Sequence, residues 1–134
     1  MSLFNWSDKF KIGIDSIDLQ HQKLVEILNE LHEAMLTEKT ELIMGDTLNK
    51  MVTYTQEHFA FEEGLLRQAK YPELDTHKKA HEAFVAKATA LSSRFSEKKQ
   101  TLNVETWDFL KNWLKNHMLG EDKKYVAHLK SQGQ

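Results

Sequence analysis

Apolar residues recur three and four positions apart through four long stretches of this chain, which is the spacing of one face of an α-helix. The chain has one proline and five glycines, so little in it breaks a helix. The strand signal is weak, and we predict an almost entirely helical protein. The predicted helices run from about Ser16 to Leu36, from Glu41 to Ala69, from a first turn at Pro72 to Phe95, and from Val104 to His117.

Short connections join these helices, and short connections between long helices favour antiparallel neighbours. The predicted fold is all-α: an up-down-up-down antiparallel four-helix bundle that forms one domain over residues 1–134. Asp15 or Ser16 is the predicted cap of the first helix. Ahead of it, residues 3–14 form an apolar-rich, extended N-terminal arm, which we expect along the outside of the bundle.

The charge balance of the chain indicates no partner. Lysine and arginine number 18 against 20 aspartates and glutamates, a formal charge of −2, which gives no basic surface for nucleic acid or for an anionic membrane. No apolar run approaches the roughly 20 residues that span a bilayer, and the first 14 residues do not resemble a signal peptide. We therefore expect a cytoplasmic protein without membrane insertion. Because the chain has no cysteine, any metal must be held by nitrogen and oxygen.

Seven side chains that can bind metal recur in four predicted helical segments, and the five histidines among them fall on the apolar stripes. Two pairs, His58 with Glu62 and His77 with His81, are four residues apart, so both members of each pair can reach one site. In the predicted bundle, the candidates from all four helices lie at one level. Without a metal, each buried group would carry a desolvation cost of about 2 kcal/mol or more. The candidate metal ligands are His21, His58, Glu62, His77, His81, His117 and Asp122.

His117 and Asp122 are five residues apart, which is the one irregular spacing in the set. In a regular helix five residues turn through about 140°, which would aim Asp122 away from the site. A π-type bulge or a break between the two residues would restore the angle, and Gly120 lies where such a distortion costs least. By spacing alone Glu121, four residues after His117, is the competing ligand.

Seven ligands exceed the need of one metal ion and indicate two. Imidazole together with carboxylate suits iron, zinc, copper or manganese, and carboxylates commonly bridge two metals in the core of a bundle. If both carboxylates bridge, the five histidines divide as three and two. With one further bridging oxygen from solvent, one metal has six ligands and the other has five. The vacancy predicts that a small molecule binds one of the two metals.

Several motifs of the chain resemble those of the hemerythrin family in its single-domain bacterial form. They are D-L-Q-H-Q around His21, H-F-A-F-E from His58 to Glu62, H-K-K-A-H from His77 to His81, and H-M-L-G-E-D from His117 to Asp122. The resemblance covers nearly the whole chain. It implies a non-heme di-iron centre with two iron ions, and it selects Asp122 over Glu121. One iron would be held by His77, His81 and His117 and the other by His21 and His58, with Glu62, Asp122 and a solvent-derived oxo or hydroxo group as bridges.

The same resemblance implies reversible O2 binding for storage or delivery, in a pocket formed by Leu114, Trp113 and Phe59. NO and peroxide are alternative ligands. A second hypothesis is an enzyme, namely a di-iron oxidase, a peroxidase or an NO-handling protein. Carboxylate-rich oxidases use paired Glu-x-x-His motifs, and no glutamate in this chain is followed by histidine three residues later. A third hypothesis is an O2 or redox sensor, which would need a separate protein partner because no signalling domain is attached.

Overall fold

The computed structural model of the chain describes residues 4–37, 41–99 and 101–132. A 3₁₀ turn, Asp8–Phe10, precedes four long helices: α1 (Asp15–Leu36), α2 (Glu41–Gln68), α3 (Leu74–Ser96) and α4 (Val104–Asn116). A π-helical segment, His117–Glu121, continues α4 and is followed by α5 (Asp122–Lys124) and α6 (Val126–Ser131). The described residues contain no strand, and none of their helices is long and apolar enough to cross a membrane.

The four long helices form the predicted antiparallel bundle, in which α2 packs against both α1 and α3. Most stripe residues are buried, which confirms the helical periodicity. Val104 is an exception: it is the first residue of α4 and is 51% exposed. The core contains Leu24, Leu28 and Leu31 from α1, Leu48 and Met51 from α2, Phe84, Ala88 and Leu91 from α3, and Trp107, Leu110 and Leu114 from α4.

The third helix begins later than predicted. Pro72 lies in the turn before α3 rather than in its first turn, and Leu74 N donates to the Tyr71 carbonyl oxygen at 3.2 Å across that turn. Helix hydrogen bonding then starts with His77 N, which donates to the Glu73 carbonyl oxygen at 3.1 Å. His77 therefore lies in the first turn of α3, at the bundle end where α2 finishes.

The N-terminal arm is more deeply buried than predicted. We expected it on the outside of the bundle, but Phe4 and Phe10 are 3% and 1% exposed and belong to the main core. The side chain of Asn29 on α1 holds the arm, because it accepts from Phe4 N at 3.1 Å and donates to the Phe4 carbonyl oxygen at 2.9 Å. A second apolar cluster joins the arm to the C-terminal helices and contains Ile12, Ile14, Ile17, Leu66, Tyr125 and Leu129.

The start of α1 differs from the prediction. Asp15 and Ser16 are the first two residues of the helix rather than its cap. The buried carboxylate of Asp18 instead reaches back to the arm, where it accepts from Ile12 N at 2.8 Å and from Gly13 N at 3.2 Å. These bonds fix a bend at Gly13, whose φ of +87° is a conformation that favours glycine.

The predicted distortion of the fourth helix is confirmed by the π-helical segment. Asp122 N donates to the His117 carbonyl oxygen, five residues earlier, which is the hydrogen bond that defines a π turn. Gly120 lies inside the distorted segment, as predicted. Its φ is not in the left-handed region, and an added Cβ would meet no atom within 4 Å. The π turn therefore needs neither the conformational freedom nor the small size of glycine.

We predict that one substitution has opposite effects at two glycines. Gly120→Ala should leave the free energy of unfolding unchanged or raise it by up to about 1 kcal/mol, because alanine is the better helix former. Gly13→Ala should lower it by about 1–2 kcal/mol, because φ strains an L residue there and Lys130 Nζ lies 3.3 Å from the added Cβ. Urea unfolding measures both. A destabilised Gly120→Ala variant would show that the π turn does require glycine.

Candidate metal centre

The structure brings all seven candidate ligands together in the core. Each is between 0% and 6% exposed. α1 supplies His21, α2 supplies His58 and Glu62, α3 supplies His77 and His81, the π segment supplies His117, and α5 supplies Asp122. Charged side chains are seldom buried unless they are paired or bind a metal, so this group needs a chemical explanation.

The ligand atoms form two overlapping groups, and within each group all atoms lie within 4.8 Å of one another. Both groups contain Glu62 and Asp122. The first adds three histidines and the second adds two. We call them the three-histidine group (His77, His81 and His117) and the two-histidine group (His21 and His58).

Glu62 turns one oxygen toward each group. Its Oε1 lies 2.6 Å from His77 Nε2 and 3.0 Å from His81 Nε2. Its Oε2 lies 3.6 Å from Nε2 of His58, in the other group. The carboxylate therefore stands between the two sets of imidazoles.

Asp122 has the same arrangement. Its Oδ1 lies 3.1 Å from Nε2 of both His77 and His117, and its Oδ2 lies 3.1 Å from Nε2 of His21. All five histidines thus present the same ring nitrogen to the two carboxylates. A carboxylate placed in this way can give one oxygen to each of two cations.

Some buried polar atoms of the site form no hydrogen bond among the described residues. They are both ring nitrogens of His21 and Oδ1 of Asp122, even though two imidazole nitrogens lie 3.1 Å from that oxygen. Each unsatisfied buried group costs about 1–3 kcal/mol. Cations between the carboxylate oxygens and the imidazoles would satisfy His21 Nε2 and Asp122 Oδ1. The residues therefore fit a metal held by nitrogen and oxygen donors.

The π segment decides between the two neighbouring acids. Glu121 is half-buried and accepts from Lys124 Nζ at 3.0 Å, away from the site. Asp122 is 1% exposed and faces the histidines, because the extra residue in the π turn rotates it back to the face of His117. Glu121, which spacing alone allowed, lies outside both groups of candidate ligand atoms, and Asp122 belongs to both.

Aromatic rings cover part of the site. Phe59 stacks on His81 with ring centroids 3.7 Å apart and 1° between the planes, and Trp113 stacks on His117 at 4.6 Å and 13°. Phe59 and Leu114 are buried in the same core cluster, whereas Trp113 is half-buried. Two of the three predicted pocket residues thus contact candidate ligands directly, and an apolar wall bounds the three-histidine group.

Comparison with known proteins accounts for this arrangement. The sequence model of a family described as Hemerythrin HHE cation binding domain matches residues 12–129. The chain belongs to the hemerythrin family. It is 38% identical over 131 residues to a bacteriohemerythrin of Stenotrophomonas maltophilia (strain R551-3), and the match covers 98% of this chain and 84% of that protein.

Two further comparisons cover more distant hemerythrins. A myohemerythrin of Riftia pachyptila is 32% identical over 128 residues, which cover 96% of this chain and 95% of that protein. A crystal structure of a wild-type hemerythrin has the same fold, with a TM-score of 0.90, 27% identity, and coverage of 96% of this chain and 98% of that one. These two matches cover almost the full length of both proteins.

Two side chains that the sequence analysis did not identify contact candidate ligands of the hemerythrin site. Gln20 Oε1 lies 2.6 Å from His58 Nδ1, and Glu63 Oε2 lies 2.8 Å from His81 Nδ1. When Nδ1 donates to these oxygens, Nε2 keeps its lone pair and points it into the site. The only available signal was position, because Gln20 precedes His21 and Glu63 follows Glu62 in the sequence.

Tyr125 is a third residue at the candidate site that the sequence analysis missed. Its hydroxyl donates to Glu62 Oε2 at 2.9 Å, and its ring is fully buried and packs edge-on against His77, 5.5 Å between centroids. Burial and the nearby carboxylates raise its pKa far above the ordinary value, so the phenol keeps its proton and remains a donor. Tyr125 follows Asp122 by three residues, and helical spacing places it on the same face.

Without metal, the ionisable groups of the hemerythrin site perturb one another strongly. Burial and the nearby Asp122 carboxylate oppose ionisation of Glu62, but the hydrogen bond from His77 holds its pKa at about 2. Burial also opposes protonation of His77, yet Asp122 and Glu62 raise its pKa from 6.5 to about 10. For His58 burial dominates and lowers the pKa to about 4. At neutral pH the metal-free site therefore holds His77 as the charged imidazolium and His58 as the neutral imidazole, so cation binding at His77 must displace a proton.

These pKa shifts predict how the stability of the metal-free protein depends on pH. Unfolded His58 takes up a proton near pH 6.5, but folded His58 does so only near pH 4. Stability should therefore fall by on the order of 3 kcal/mol as pH drops from 6.5 to 4. The contribution of His77 is complete below pH 6.5 and is lost as pH rises toward 10. Urea unfolding across this range measures both declines.

A variant distinguishes the contribution of His58 from general acid sensitivity. His58→Asn should lose the decline between pH 6.5 and 4, whereas His128→Asn, at a half-buried position on α6, should keep it. An unchanged acid profile in His58→Asn would contradict the assignment.

Removing the partner of one ligand should weaken metal binding. Glu63→Ala should lower metal affinity by roughly 10–100-fold, because it frees the ring of His81. Glu63→Gln keeps an oxygen acceptor and should recover much of the loss. Competition with a chelator measures the affinity. Glu82→Ala, at an exposed position of α3, is the control. Equal affinities in Glu63→Ala and Glu82→Ala would rule out the orienting role.

Proposed function

We propose that this chain binds O2 reversibly at a non-heme di-iron centre held by the seven buried ligands. One observation carries the proposal: Glu62 and Asp122 each direct one oxygen toward the three-histidine group and the other toward the two-histidine group. Two cations side by side need this arrangement if both carboxylates are to bridge them. Membership of the hemerythrin family supports iron as the metal and O2 as the ligand.

The unequal histidine groups support a particular division of the ligands. The three-histidine group would hold one iron and the two-histidine group the other, with Glu62, Asp122 and a solvent-derived oxygen shared between them. This count gives six ligands on one side and five on the other, which leaves one position for O2. The ferrous ions that these seven residues would hold could supply one electron each to a bound ligand and recover it on release.

The surrounding residues keep the centre dry and its ligands fixed. We assign the O2 pocket to Phe59, Trp113 and Leu114, whose apolar surfaces exclude water and slow irreversible oxidation. Gln20 and Glu63 hold two imidazoles in the tautomer that binds metal through Nε2. These roles require no proton transfer to a substrate, as expected for binding without net chemistry.

We favour a carrier over an oxidase or peroxidase because of the ligand set. Five neutral imidazoles and only two carboxylates leave the two metals with more positive charge than a carboxylate-rich site would, and positive charge stabilises the ferrous state. NO handling, peroxide handling or sensing through a protein partner would use the same ligands. These roles differ from a carrier in the step after ligand binding, so a reversibility experiment distinguishes them from it.

Metal loading and O2 titration test the proposal directly. Anaerobic loading with ferrous iron should give two irons per chain, and O2 should produce a new spectrum that returns to the starting one on degassing. One iron per chain would contradict the shared carboxylates. Prompt oxidation that degassing does not reverse would contradict the carrier function and favour an enzyme.

Two adjacent acids provide a matched pair of variants for that experiment. Asp122→Asn removes the charge of a shared carboxylate and should lower the iron content below two per chain. Glu121→Gln removes the neighbouring charge, which faces Lys124, and should retain two irons and reversible O2 binding. The same iron content in both variants would exclude Asp122 as a bridge.

A further inference from the structure

A surface cleft of about 380 Å³ lies between α2 and α3, directly over the candidate metal centre. Phe59 and His81 line it and are almost fully buried, at 4% and 1% exposed, so they form its floor. The exposed Ala60 and Ala86 also line the cleft, one from each helix. Two alanines leave the groove between the helices wide, and small side chains there let a small molecule approach the floor.

The floor is one ring thick. The Phe59 ring lies flat on His81, with centroids 3.7 Å apart. The same ring lies 5.9 Å from the ring of His58 and 6.1 Å from that of His117. Phe59 therefore borders the cleft on one side and members of both histidine groups on the other. Rotation of this one side chain would connect the cleft to the centre.

The charges around the cleft select among small molecules. Glu63 and Glu82 line it, and no lysine or arginine does. Carboxylates that line an entrance lower the local concentration of anions and leave neutral molecules unaffected. Apart from the polar groups, the lining consists of alanine, valine and phenylalanine, which suits an apolar molecule.

We propose that the α2–α3 cleft is the entrance through which a neutral, apolar diatomic molecule reaches the centre, with Phe59 as its gate and the two glutamates excluding small anions. The destination of the ligand rests on the function proposed above. The gate itself is a property of this chain's own side chains and can be tested without iron.

A gate changes how fast a ligand enters and leaves but not how tightly it is held. In the iron-loaded protein, Ala86→Leu should narrow the entrance and slow O2 association and dissociation together, each on the order of tenfold, at an unchanged equilibrium constant. Phe59→Leu should accelerate both rates. Ala83→Leu makes the same change on an exposed position of α3 outside the cleft and should leave both rates unaltered. Equal rates in Ala86→Leu and Ala83→Leu would overturn the entrance.

Azide tests the charge selection. Glu82→Lys should raise the azide association rate by roughly tenfold at low ionic strength, and added salt should reduce the difference. Glu57→Lys makes the same charge change at an exposed position of α2 that does not line the cleft. If Glu57→Lys raises the azide association rate as much as Glu82→Lys does, the glutamates of the cleft do not exclude anions and this part of the proposal is overturned.

Xenon separates failure of the entrance from failure of the proposed function. This apolar atom requires no iron, and anomalous diffraction from xenon-pressurised crystals would locate it. Xenon should occupy the cleft against Phe59 and be lost in Ala86→Leu crystals. A cleft without xenon in the native crystals would overturn the proposal. Xenon in the cleft of a protein that fails to bind O2 would leave the entrance standing and refute the carrier function.

Discussion

Burial of two carboxylates and five imidazoles in one apolar core is the constraint on which the rest of this structure depends. Such groups lose their hydration, and the surrounding protein satisfies them only in part: His21 and Asp122 retain buried polar atoms without a hydrogen bond. A pair of cations would resolve the conflict, because each carboxylate already faces both histidine groups. The helices, the π turn and the orienting side chains all serve to bring these seven groups to one level.

Local periodicity explains how much of this could be predicted from the sequence. The 3.6-residue repeat assigns each side chain to a face, so the four helices, the seven candidate ligands and the distortion between His117 and Asp122 could all be predicted. What failed depends on hydrogen bonds of particular side chains, which the periodicity of a helix does not reveal. Burial of the arm requires Asn29, 25 residues beyond Phe4, and the backbone of Gly13 is held by Asp18.

The residues that orient the ligands illustrate the same limit. Gln20, Glu63 and Tyr125 are common residue types, and only their contacts across the bundle distinguish them from ordinary surface or core positions. Gln20 and Glu63 add to the asymmetry of the hemerythrin site, because a neutral amide lies behind the two-histidine group and a carboxylate behind the three-histidine group. The rings of Phe59 and Trp113, which cover part of the site, must exclude water and still admit a ligand. A one-ring floor beneath an apolar cleft meets both requirements.

Anomalous diffraction at the iron absorption edge, from crystals of the loaded protein, tests the central claim most directly. Two peaks should lie between Glu62 and Asp122, each within bonding distance of one oxygen of both carboxylates. One peak should be bonded to His77, His81 and His117, and the other to His21 and His58. A single peak, or two peaks that do not share these carboxylates, would contradict the account.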